Sequence, residues 1–300
     1  MIVNCVLIFN FAIFLKKNKI SLVIEGGGFK SVFSAGVLDA FLVNKFNPFD
    51  HFIGVSSGAM CLSYYIANQY KVYYKMSKKV CDDAQFLSYK NAFSDQGFMN
   101  LKYLTQYAVK NNPLDIKKIT NLSEDKKFQV VATNIDNGKP VYLEPDYNNI
   151  YRCLRATSSL PFFTKGSCKI NNLSLMDGAW SDPIPVKHVV DCGADKVIVI
   201  RPHPGDYKID GLNYFGMIAG YWWRENPKMS EIFLKEYTCY NKAVDFIHQK
   251  HFDVDIIQIC PNQFLKSTVL GASKSNLEHD YHCGIEKGLD IIDSFKDFSC

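Results

Sequence analysis

The stretch "LVIEGGGFKSVFSAGVLDAF", residues 22–41, decides the fold class. An apolar β-like run enters three consecutive glycines, Gly26, Gly27 and Gly28, and a helix leaves them. Val32, Phe33, Gly36, Val37, Ala40 and Phe41 recur at helical spacing and mark the buried face of that helix. A strand feeding a helix through a glycine turn is the first half of a βαβ unit. Without Cβ atoms, such a turn lets backbone N–H groups converge on an anion at the helix N-terminus.

That anion is either a phosphate or a reaction oxyanion, and the spacing discriminates between them. "GGGFKS" ends in Lys-Ser like a phosphate loop, but G-x-x-x-x-G-K-[ST] needs Gly directly before the Lys, where Phe29 stands. The dinucleotide pattern G-x-G-x-x-G, started at Gly26, reaches Ser31 at its sixth position. Neither nucleotide pattern is met.

Beyond residue 41, strand-like and helix-like pieces alternate, the pattern of an α/β fold on a mainly parallel sheet. Strands are predicted at 21–25, 51–55, 128–134, 139–143, 173–176, 195–200 and 255–260. Residues 60–125 and 205–250 read as helical insertions or caps around the sheet. The Met, Tyr and Trp residues of the second read as core or cap packing, although an exposed Trp222–Trp223 pair would suit a lipid interface. No repeat or long linker interrupts the chain, so residues 21–300 are expected to form one domain.

Residues 1–20 stand apart. "MIVNCVLIFNFAIFL" is almost wholly apolar but short for a bilayer span, and it lacks the basic start and small-residue cleavage site of a signal peptide. An extra strand, a docking segment, an upstream translation start and a membrane anchor are its four readings. The expected location is the cytoplasm, with peripheral attachment or anchoring through this stretch as routes to a membrane surface.

Composition narrows the function classes. With 300 residues and 47% hydrophobic content the chain can bury a large core, and a formal net charge of +4 without a basic stripe argues against nucleic acid. The ten cysteines are scattered, never in C-x-x-C, and several lie inside apolar runs. They read as small buried hydrophobes of a reducing compartment rather than disulfides or metal ligands.

The chemistry appears at "HFIGVSSGAMCL", where strand 51–55 runs through Gly54-Val55-Ser56-Ser57-Gly58 into a helix. This is G-x-S-x-G in the strand–turn–helix setting of a nucleophile elbow, with Ser56 at the turn. A serine nucleophile needs a base. Seven histidines are available, and "NLSLMDGAWSDPIPV" offers Asp177 directly after a strand. Were strands 21–25, 51–55 and 173–176 parallel, the glycines, Ser56 and Asp177 would share the carboxyl edge of the sheet, where open α/β sheets build their sites.

These residues resemble the patatin-like phospholipases, and more closely the bacterial branch. The resemblance rests on E-G-G-G-x-K with S-A-G-V-L-D-A-F, on G-V-S-S-G, and on D-G-A with D-P-I-P-V, with softer echoes in "LRATSSLPFF", "GADKVIVIRP" and "YHCGIEKGLDII". It implies a three-layer α/β/α fold and a lipid acyl hydrolase acting on phospholipids or other acyl lipids without metal or cofactor. It further implies a Ser56–Asp177 dyad, an oxyanion hole at Gly26, Gly27 and Gly28, and a basic residue, Lys30, for an anionic head group. Ser31 departs from the pattern, which usually has glycine there. Two alternatives remain at this point: a Ser–His–Asp hydrolase using His279 or His282, and a catalytically silent lipid-binding protein.

Overall fold

A computed structural model describes residues 19–91, 97–161, 163–164, 166–212 and 214–297. The expectation attached to residues 1–18 lies outside the described residues. Runs rich in Ile, Val and Phe form eight described strands: β1 (Ile20–Ile24), β2 (His51–Val55), β3 (Lys127–Asn134), β4 (Pro140–Leu143), β5 (Cys168–Ile170), β6 (Leu173–Asp177), β7 (Lys196–Ile200) and β8 (Asp255–Ile259). The helices are α1 (Val32–Val43), α2 (Ser57–Ile66), α3 (Val72–Val80), α4 (Leu101–Asn111), α5 (Ile116–Thr120), α6 (Ile150–Thr157), α7 (Val186–Asp191), α8 (Tyr214–Trp222), α9 (Pro227–Leu234), α10 (Glu236–His248) and α11 (Lys274–Asp297). None of the described helices is long and apolar enough to cross a membrane.

The strands form one sheet whose hydrogen-bond path runs β5-β6-β3-β2-β1-β7-β8, with β4 joined to β3. Strands β3, β2, β1, β7 and β8 are mutually parallel. Both faces of this parallel core are covered, which is why its strands read as continuous apolar runs. Leu22, Ile24 and Phe52 pack with Phe33, Phe41 and Leu62 of α1 and α2 on one face. Val23, Ile53 and Val199 pack with Val186, Val189 and Val244 of α7 and α10 on the other. The result is a mixed, mostly parallel sheet between two helical layers, a three-layer α/β/α fold. Cys61, Cys81, Cys153 and Cys168 are buried and unbridged, as small core residues.

One expectation is corrected. Strand β6 is antiparallel to β3, not parallel to β1 and β2. It still ends at the right place, because of how the edges of β3 are shared. The register pairs β2 with residues 127–131 of β3, β4 with 130–133 and β6 with 132–134. Since β4 overlaps both of the others, β2 and β6 must lie on the opposite edge, one after the other. They run toward each other along it, so their carboxyl ends meet: Val55 pairs with Val131 and Asp177 with Ala132. The short strand β5, which pairs with β6, has no counterpart among the predicted strands.

The C-terminal helix α11 lies directly on α1. A Cβ built on Gly284 would stand 2.0 Å from the Phe33 carbonyl oxygen, and one on Gly36 would stand 2.1 Å from that of Tyr281. The backbones touch because neither position has a side chain. A Gly284→Leu change is expected to force the helices apart and destabilise the protein by about 3 kcal/mol, seen as a lower urea midpoint; an unchanged midpoint would refute the contact.

Candidate active site

The site forms where β1, β2 and β6 end. Ser56 follows β2 at φ 54° and ψ −132°, a backbone conformation that side-chain-bearing residues rarely adopt. Two features hold it there. Its N–H donates to Thr157 Oγ1 over 2.8 Å, while that hydroxyl donates to the Val131 carbonyl oxygen. The following turn is pressed against β1, since a Cβ on Gly58 would stand 2.5 Å from the Glu25 carbonyl oxygen.

Asp177 is 1% exposed and fixed through both backbone and side chain. Its N–H donates to Ser159 O at 2.8 Å, its carbonyl accepts from Thr133 Oγ1 at 2.8 Å, and its Oδ1 accepts from Ala179 N at 2.9 Å. The Ser56 side chain stands near enough to the carboxyl to lower its proton affinity. Burial pushes the Asp177 carboxyl up to about 7; the bond from Ala179 and the nearby Ser56 hydroxyl oppose the rise, and the nearby Glu236 charge adds to it.

The glycine turn is also structured by its surroundings. Gly28 has φ +59°, and a Cβ there would stand 2.0 Å from the Val269 carbonyl oxygen, so a covering loop leaves room for glycine alone. The Gly27 N–H donates to Ser57 Oγ at 3.1 Å, and Ser57 Oγ lies 2.7 Å from Ser31 Oγ. Ser31 is fully buried, so the hydroxyl at this departure from the family pattern braces the turn from behind. Ser31 is absent from the cavity wall.

A cavity of about 550 Å³ opens over these groups, a size that encloses a small-molecule ligand. Ser56, Asp177 and the three glycines line it. Phe29, Tyr73, Met76, Phe86 and Leu104 form one apolar part of its wall and belong to a single core cluster. Lys30, His203, Tyr207, Glu236 and Tyr240 form a polar part. Among the described residues no group of three or more His, Cys, Asp or Glu could hold a metal ion.

The polar part is built on a buried ion pair absent from the candidate residues read in the sequence. Glu25, the residue after β1, accepts from Arg201 Nε at 3.2 Å, from His203 Nδ1 at 2.9 Å and from Tyr240 Oη at 3.0 Å. Burial pushes the Glu25 carboxyl up, but His203 and Arg201 together hold it below its ordinary value. His203 Nε2 in turn contacts Lys30 Nζ, so the imidazole links Glu25 to the lysine. Burial lowers the Lys30 pKa against the raising pull of Glu25. The signal in the sequence is a charged residue directly after each of two adjacent apolar strands, Glu25 after β1 and Arg201 after β7.

The other histidines are elsewhere. His279 and His282 sit on α11 and do not line the cavity, where His203 is the one histidine among the described residues.

The buried Asp177 carboxyl has a consequence for stability. A carboxyl titrating near 4 in the unfolded chain and near 7 in the folded one stabilises the fold below pH 4, and that contribution is lost as pH rises through 7. Asp177→Asn is therefore expected to melt above the parent at pH 8, by about 4 kcal/mol at most, with the gap closing toward pH 4. Equal melting temperatures at both pH values would contradict the burial.

The profile of the patatin-like phospholipase family matches residues 22–190, and that of a domain of unknown function, DUF6363, matches residues 226–299. The uncharacterized protein YjjU of Escherichia coli (strain K12) is 30% identical over 269 residues, which cover 89% of this chain and 75% of that one. The solved structure of VipD from Legionella pneumophila aligns with TM-score 0.47 and 13% identity, covering 93% of this chain and 67% of that one. Running from β1 through most of α7, the first of these matches takes in the glycine turn, Ser56 and Asp177, and the chain belongs to the patatin-like phospholipase family, a family of lipid acyl hydrolases.

Proposed function

We propose that the chain is a serine hydrolase of phospholipid or related acyl-lipid esters, acting through a Ser56–Asp177 dyad within one catalytic unit, residues 21–300. The observation that carries this reading is the meeting of Ser56 with a buried Asp177, its carboxyl pushed up to about 7 by burial, on the wall of one cavity. A base with a pKa near the working pH is matched to proton transfer from a hydroxyl. A solvated aspartate, near 4, would be poorly matched.

In the first half-reaction Ser56 Oγ attacks the ester carbonyl carbon while its proton passes to Asp177. The carbonyl oxygen becomes an oxyanion at the glycine turn, Gly26 to Gly28. The Gly28 N–H is the favoured donor, because that of Gly27 is occupied by Ser57. The ester C–O bond then breaks, and the departing alkoxide takes the proton from Asp177, leaving an acyl-enzyme. In the second half-reaction water gives a proton to Asp177 as it attacks the acyl carbon, and Ser56 regains its proton as the acid leaves.

The two parts of the cavity wall suit the two ends of such a substrate. The apolar part accepts the acyl chain. Lys30, held by His203, presents a cation to an anionic head group. A Ser–His–Asp arrangement with His279 or His282 is disfavoured because neither lines the cavity.

Ser56→Ala and Asp177→Asn are each expected to lose roughly 10²- to 10⁴-fold in turnover of a soluble ester, whereas His279→Ala and His282→Ala keep most activity. Fluorophosphonate labelling followed by mass spectrometry should place the adduct on Ser56. A fully active Asp177→Asn variant, or an adduct on another serine, refutes the dyad.

The pH profile gives an independent test. Asp177 must be ionised to accept the proton, so kcat/KM should fall about tenfold per pH unit below about 7. Glu236→Gln removes a charge that raises the Asp177 pKa, and the acid limb should move to lower pH. A flat profile from pH 5 to 8 would exclude Asp177 as the titrating base.

A further inference from the structure

Helix α8, Tyr214–Trp222, has the sequence YFGMIAGYW and carries no charge. A surface helix ordinarily buries its large apolar residues and turns its charged ones to water. Here Tyr214, Met217, Ile218, Tyr221 and Trp222 are exposed by 78, 51, 43, 70 and 69%. They follow the spacing i, i+3, i+4, i+7 and i+8, which gathers them into one stripe. Among the residues of α8 whose burial is described, Gly216, Ala219 and Gly220 are the buried ones. Among these described residues the small ones face inward and the large ones outward, the reverse of what solubility favours.

We infer that α8 is an interfacial docking helix that seats the protein on a phospholipid bilayer. The choice of a lipid occupant rests on the lipid-hydrolase reading and on three observations. The exposed side chains are mainly Tyr and Trp, whose apolar bodies and polar tips favour the headgroup boundary. Helix α8 is seated beside the cavity: its buried Ala219 packs in one cluster with Trp180, which lines the cavity, as do Tyr207 and Ile209 on the segment leading into α8. A bilayer against α8 would therefore stand beside the substrate opening. Finally, Arg224 places its guanidinium 4.7 Å from the Tyr221 ring centroid and so sets a cation for lipid phosphates at the end of the stripe, next in the chain to the acidic Glu225.

A second copy of the chain fits less well. Nine residues of helix span only about 14 Å, and a stable protein interface needs roughly 800 Å² per partner. Membrane insertion has no such minimum, since each buried apolar side chain contributes separately. The expected Trp222–Trp223 pair is thereby resolved: Trp222 is on the stripe, while Trp223 turns back to Phe233 at 6.2 Å.

The test uses the full chain with Ser56→Ala, so that binding is read without hydrolysis, and co-sedimentation with phosphatidylcholine–phosphatidylglycerol vesicles. Two pairs of changes, Met217→Ser with Ile218→Ser and Tyr221→Ser with Trp222→Ser, are each expected to weaken partitioning by about tenfold or more. In the otherwise intact chain, the same pairs should leave turnover of a soluble short-chain ester within about twofold while hydrolysis of vesicle lipid falls. Unchanged partitioning in both pairs overturns the inference. So does binding abolished by removing residues 1–18 but kept in the stripe variants, or a parent dimer that dissociates in the variants without any vesicle binding. Stripe-dependent binding by a parent that hydrolyses no ester would uphold the docking helix and refute the proposed catalysis.

Discussion

One edge of β3 carries two strands, and the site depends on that sharing. Strand β2 takes the residues up to Val131 and β6 takes those from Ala132, approaching from the opposite direction. At the junction the ladder is interrupted, and the Thr157 hydroxyl occupies the break by bonding both Ser56 N–H and Val131 C=O. Buried backbone groups left open by a broken ladder are costly, so the hydroxyl stabilises the junction itself. A hydroxyl-bearing residue and an acidic one from opposed strand ends are thus brought together without a connecting loop.

The same edge collects charge. Glu25 and Arg201 leave adjacent strands β1 and β7 at the same level, because the register pairs Ile24 with Ile200. A buried pair of this kind survives only when its remaining donors and acceptors are satisfied. Gly205, Gln258 and Tyr240 satisfy Arg201, and His203 and Tyr240 satisfy Glu25. Through His203 this rigid core reaches Lys30, so the position of the lysine is set by groups on β1, α10 and the segment after β7. The cavity receives a fixed cation instead of a freely rotating surface lysine.

Burial acts differently on the two carboxyls at this edge. Glu25 is surrounded by cationic and hydroxyl partners and stays below its ordinary value, whereas Asp177 faces hydrogen-bond donors without a cation and rises toward neutrality. The difference lies in the cations, which only Glu25 has among its neighbours.

Much of this was legible in the chain itself. The glycine turn, the G-x-S-x-G elbow and the D-G-A turn are local signals, because each depends on a backbone conformation that only a few residue types adopt. The apolar runs within β1, β2 and β7 are likewise visible, since strands covered on both faces are predominantly apolar. The direction of β6 was not legible, as strand direction leaves no trace in periodicity and is set by which edge of β3 remains open. Nor could the sequence announce the Glu25–Arg201–His203–Lys30 array, whose members are up to 178 residues apart and meet only through sheet register. The sequence by itself determined the local geometry of each functional turn. Tertiary structure alone decided which turns face one another, and how far burial shifts the proton affinity of Asp177, because both depend on neighbours brought from distant parts of the chain.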